Sequence, residues 1–95
     1  MYLEIVTPEA VMFSAEVEAV KVPGINGEFQ MLDHHAPIVS LLVDGEIKIN
    51  LSGAAPKMSK KNEGLFRKEG ANVLFYHIKG GVLEMKDNKA IVLAD

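Results

Sequence analysis

Asp33, His34 and His35 stand consecutively, the one place in the chain where side chains able to ligate a metal gather. Two imidazoles and a carboxylate would suit zinc, which takes nitrogen and oxygen donors in a tetrahedral site. Neighbouring side chains on extended backbone point to opposite faces, so both histidines reach one ion only from a tight turn. The third histidine, His77, lies far along the chain, and no cysteine is present to complete a set. The triplet therefore reads as a structural turn, with no metal and no cofactor expected. The competing reading is a free-standing ligand-binding module built on Asp33, His34 and His35.

Nucleophilic chemistry finds less support. Ser14, Ser40, Ser52 and Ser59 lack the strand-turn-helix elbow that exposes a catalytic serine. Gly80-Gly81 falls between two apolar runs and opens no helix, so it reads as a turn and not as a phosphate loop. Glu16 and Glu18 share one face of an extended segment, where charge keeps a sheet edge from pairing with another chain. The chain is expected not to be an enzyme on its own.

The formal net charge is −3, but it is unevenly spread. Lys57, Lys60, Lys61, Arg67 and Lys68 are half of the basic residues; with Glu63 they give residues 57–68 a charge of +4, leaving −7 for the rest. Single-stranded nucleic-acid sites interleave such charge with aromatic platforms. Phe66 is the only aromatic nearby, so no nucleic-acid partner is expected. The stretch reads as a solvated basic loop, or as a contact for another subunit or for anionic lipid headgroups.

Ninety-five residues, 48% hydrophobic and 24% charged, suit one globular domain over 1–95. The absence of cysteine fits a reducing compartment. No apolar run approaches the ~18–20 residues that span a bilayer, and Met1-Tyr2-Leu3-Glu4 lacks a signal-peptide pattern, so a cytoplasmic location is expected. Short apolar runs alternate with turn signals throughout, the pattern of a β-sandwich or barrel. The runs are Tyr2–Thr7, Ala10–Phe13, Val17–Val22, Glu28–Leu32, Ile38–Val43, Glu46–Leu51, Val73–Lys79, Val82–Lys86 and Ala90–Ala94.

Asn26-Gly27 and Asp44-Gly45 read as hairpin turns, and Gly80-Gly81 and Asp87-Asn88 join the last three runs into a meander. A helix over Thr7–Val20, capped by Thr7, would carry apolar groups on several sides, so two strands with a bend at Ser14 fit better. Val17 and Ala19 fall out of phase with Val20 and Val22, which implies a bulge or a doubly buried strand. Residues 52–72 lack a pattern and imply a long protruding loop, with a short hairpin arm around Leu65-Phe66-Arg67.

Seven motifs occur in a specific order: Thr7-Pro8-Glu9, Phe13-Ser14, Val22-Pro23-Gly24, Asn26-Gly27-Glu28-Phe29, His35-Ala36-Pro37, Gly80-Gly81-Val82-Leu83-Glu84 and Val92-Leu93-Ala94-Asp95. This series resembles the N-terminal β-sandwich domain of the epsilon subunit of F-type, proton-translocating ATP synthases. The likeness covers Tyr2–Leu51 and Asn72–Asp95, nearly four-fifths of the chain.

The resemblance implies an all-β, flattened β-sandwich of about ten mostly antiparallel strands in the foot of the central stalk, or rotor. Partners would be the gamma subunit, the c-ring and the whole F1Fo complex, peripheral to the cytoplasmic face of the inner (plasma) membrane. The chain would couple proton transport to ATP synthesis or hydrolysis carried out elsewhere. In the family the acidic residue of the first hairpin lies against the c-ring loops; it maps to Glu28, flanked by Gly27 and Phe29. His35, Ala36 and Pro37 would shape a neighbouring end of the sandwich and join that contact.

The sequence departs from the family at Asp33-His34, where Pro-Gly is usual, and at Ala15, where glycine is usual. Residues 52–71 look like an insertion. The sequence stops at Asp95, where the family usually continues into a helical hairpin that binds ATP or inhibits rotation in some members, which implies a short form lacking it.

Overall fold

Ile47, Ile49 and Leu51 alternate with Glu46, Lys48 and Asn50 along β5 (Gly45–Leu51), and the first three are buried while the others face out. That period of two, with one wet face, recurs through the chain. The computed structural model describes residues 1–95, with β1 (Tyr2–Val6), β2 (Val11–Gly24), β3 (Gly27–Leu32), β4 (Ile38–Leu42), β5, α1 (Lys60–Glu63), β6 (Phe66–Glu69), β7 (Val73–Ile78), β8 (Gly81–Lys86) and β9 (Lys89–Ala94).

The chain is all-β apart from the single turn of α1, and nine strands serve as ten because β2 belongs to two layers. Its first half pairs with β1, and beyond β1 follow β9, β8 and β4. Its second half lies between β3 and β5, with β7 and β6 beyond. The two layers enclose one core of 22 buried residues, among them Leu3, Phe13, Val20, Ile49, Leu83 and Val92. Every pairing is antiparallel except β1 with β9.

No helix forms over Thr7–Val20. The two strands expected there are instead one continuous strand of 14 residues. Ser14 and Ala15 make no break, because both keep their ladder partners on β1. The bulge expected near Val17 is present: Val17 opposes Leu51 and Ala19 opposes Asn50, which leaves Glu18 as the extra residue. Strand bending at a bulge is how β2 passes from one layer to the other.

Turn chemistry is distributed differently from the sequence expectation. Asp87 and Asn88 both take positive φ (52° and 59°) between paired Lys86 and Lys89, the conformation of a primed two-residue hairpin. At the first hairpin the loop residues are Ile25 and Asn26, and only Gly27 takes positive φ (118°).

Residues 52–72 do not protrude as a free loop. Ser59 caps α1 by accepting from Asn62 N–H at 3.2 Å, and Gly64 ends it. The chain then forms β6, whose Phe66 is buried against Phe13 and Tyr76, with ring centroids 6.0 and 4.7 Å away. Met58 packs on the same core, so the arm closes the gap between β2 and β6.

Candidate functional site

The chemistry-bearing residues of the sequence are held apart or already engaged. Asp33 accepts a hydrogen bond from the α-ammonium of Met1, which also lies 3.3 Å from Glu16 Oε2. The ammonium holds the Asp33 carboxyl below its ordinary range, and the Asp33 carboxylate holds the amine above its ordinary value. His34 sits at a positive φ of 60° and donates its backbone N–H to Asn88 Oδ1 at 2.7 Å. His35 Nδ1 lies 2.7 Å from the carbonyl oxygen of Ala36. His77 is on β7, with Nε2 2.8 Å from Asp44 Oδ1. The imidazoles of His35 and His77 therefore serve separate local contacts, His34 bonds through its backbone, and no three His, Asp or Glu side chains converge as a metal site. Arg67 is likewise committed: Nη2 donates to Glu46 at 3.0 Å, Nη1 to Glu69 at 3.3 Å, and its guanidinium lies 4.0 Å over the Phe75 ring.

The six residues expected at a c-ring contact divide into two groups. Gly27 and Glu28 open β3 beside the Ile25–Asn26 tip, while His35, Ala36 and Pro37 follow its far end at Leu32. Five steps of extended chain separate the groups by ~17 Å. Around the first group the hairpin tip is laced to β4, with Ile25 N–H donating to Leu41 O and Val43 N–H to Pro23 O, each 2.9 Å. Ile25 and Val43 are exposed there, and Glu28 is exposed with Lys21 Nζ 4.0 Å away. Phe29 faces inward instead: its ring lies so close over Gly24 that a Cβ there would sit 2.8 Å from Phe29 Cε1.

A second surface had no motif to announce it. On the outer face of the first layer, register aligns Leu41 with Val82, Val82 with Leu93, Leu93 with Val6, and Val6 with Val11. Five apolar residues thus form one row across five strands. Leu41, Leu93 and Val11 are each more than half exposed, and Val39, at 69%, and Ile91 flank the row beside Glu84. Large exposed apolar groups in a continuous patch mark an interaction surface, whereas scattered ones do not. The available signal was the run Ala90–Ala94, apolar at every position and so on both faces of its strand. The structure buries Met12 and Met31, leaves Val6 half-buried and exposes Ile25.

The geometry offers an apolar face and a hairpin end that exposes Glu28 beside Ile25 and Val43, both built on one closed core. Residues 1–59 match the family described as ATP synthase, Delta/Epsilon chain, beta-sandwich domain. The sequence is 37% identical over 93 residues to the ATP synthase epsilon chain of Chlorobaculum tepidum, covering 98% of this chain and 86% of that one. The chain belongs to the ATP synthase delta/epsilon family. The epsilon chain of Chlorobium limicola is equally similar, with the same coverage. That of Desulforamulus reducens is 34% identical, and the chain spans 57% of its length. The fold is that of chains in the central stalk/c-ring structure of Tetrahymena thermophila mitochondrial ATP synthase (TM-score 0.72, 12% identity, 99% of this chain and 62% of that one) and in the Euglena gracilis OSCP/F1/c-ring structure (TM-score 0.72, 19% identity, 97% and 48%).

Proposed function

We propose that this chain is a non-catalytic central-stalk subunit of an F-type ATP synthase, joining the gamma subunit to the c-ring and coupling proton transport to ATP synthesis or hydrolysis. The observation that carries the reading is the row from Leu41 to Val11, an apolar docking face on a member of the delta/epsilon family. Gamma docks on that row. A standard interface takes ~800 Å² from each partner, and this chain exposes 5599 Å², so two such contacts would cover nearly a third of it. A single core draws on both layers, so residues 1–95 act as one domain that passes torque by rigid packing.

The ring contact is assigned to the hairpin end. Glu28 is the acidic group presented to the polar loops of the c-ring, with Gly27 shaping the turn and Phe29 bracing it from inside. His35, Ala36 and Pro37, at the opposite end of β3, serve a different part of the interface. The complex is membrane-associated, and this subunit sits on its cytoplasmic side, peripheral to the inner (plasma) membrane.

The test is co-purification of the chain with gamma, followed by c-ring association of the complex with and without Glu28→Lys. A stable gamma complex whose ring attachment weakens with Glu28→Lys is expected. No gamma complex at micromolar concentrations overturns the reading.

A further inference from the structure

Lys57, Lys60, Lys61 and Lys68 have no carboxylate within ion-pair distance, unlike Arg67 beside them. With Arg67 and Glu63 they give residues 57–68 a charge of +4 on a chain whose remainder carries −7. Lys60 and Lys61 ride on α1, which is capped by Ser59 and anchored through Met58; Lys57 precedes it and Lys68 lies on β6. Val11, the last residue of the apolar row, is also a wall of the groove between this arm and β2, which Phe13, Pro56, Lys57, Met58 and Ser59 complete. The apolar row and the cationic arm therefore meet at Val11.

We propose that residues 52–65 extend the gamma-docking face, and that Lys57, Lys60 and Lys61 receive an acidic segment of the gamma subunit where it passes Val11. The inference rests on the gamma reading above and adds the chemistry of the partner at one edge. The apolar row supplies affinity; charges at an interface rim chiefly set approach rate and orientation. A protein partner fits better than a lipid surface because of position. The arm covers the Val11–Ser14 end of β2, while the hairpin tip assigned to the c-ring stands at the other end, beyond Gly24.

The experiment uses the full chain with Lys57→Glu, Lys60→Glu and Lys61→Glu combined, beside Leu93→Asp. Gamma binding by the triple variant should weaken about tenfold at low salt, mostly through slower association. The difference should vanish near 1 M salt, where the screening length is about 3 Å. If Leu93→Asp abolishes gamma binding while the triple variant binds normally, the arm inference fails and the gamma reading stands. If neither variant changes gamma binding, both fail. Sedimentation with phosphatidylglycerol vesicles that the triple variant loses, with gamma affinity unchanged, assigns the arm to the membrane and overturns the inference.

Discussion

Leu93 stands beside Val6 across the only parallel junction in the sheet, the pairing of β1 with β9. It also opposes Val82 on its other side, so a residue 54% exposed lies at the centre of the apolar row. The first and last strands of the chain build that centre together. The apolar row and the closure of the sheet therefore share the same two strands.

Closure depends on a contact just behind Leu93. A Cβ on Gly81 would meet the Leu93 carbonyl oxygen at 2.3 Å, and backbone atoms cannot move aside as a flexible side chain can. Gly81→Ala is expected to destabilise the fold by about 1–3 kcal/mol, as overpacking does. The urea midpoint measures it; an unchanged midpoint would mean that the β8–β9 pair shifts freely.

The Met1 ammonium and Asp33 give a pH signature. Hydrogen bonding to Asp33 raises the amine above 8.0, so its contribution is full below that value and is lost as pH climbs through the folded pKa. Hydrogen bonding to the amine lowers Asp33 below 3.8, so its contribution is present above that value and is lost as pH falls through the folded pKa. Asp33 is exposed, so the limbs should be shallow. Urea midpoints of wild type and Asp33→Asn should differ in the window between and converge at both extremes. A gap that is constant with pH contradicts the pairing.

Phe66 is what turns the 52–72 segment into structure. Phe66→Ala removes its contacts with Phe13 and Tyr76 and should cost about 3 kcal/mol. Amide exchange should speed first in residues 52–65, which Phe66 and Met58 hold down. Uniform acceleration across all strands would show that the arm and the sandwich open as one.

Much of the fold is legible in the sequence because local alternation encodes it. Ile47, Ile49 and Leu51 declare β5 without help from the rest of the chain. The arm is not legible, because a single buried phenylalanine among lysines, glycines and serines has no period, and only its partners Phe13 and Tyr76 explain it. The continuity of β2 is hidden for a related reason. Its inward face changes where it passes between layers, and that passage is set by pairing with β1 and β5, not by neighbours in sequence.

The interaction surfaces divide along the same line. Glu28, proposed for the ring contact, stands out through the resemblance because its hairpin motif is local. The row from Leu41 to Val11 draws one residue from each of five strands, and no linear reading aligns them without the register. The same register shows that β3 holds the Glu28 and His35 motifs apart, although only seven positions separate them in sequence.

The central claim is that this face holds the gamma subunit, and binding of gamma to wild type and Leu93→Asp, measured by sedimentation velocity, tests it most directly. Leu93 is exposed, so the substitution should leave thermal unfolding within about 0.5 kcal/mol of wild type. The account predicts a stable complex for wild type and none for Leu93→Asp at the same concentrations. Equal binding by the two proteins, with both folded, would contradict it.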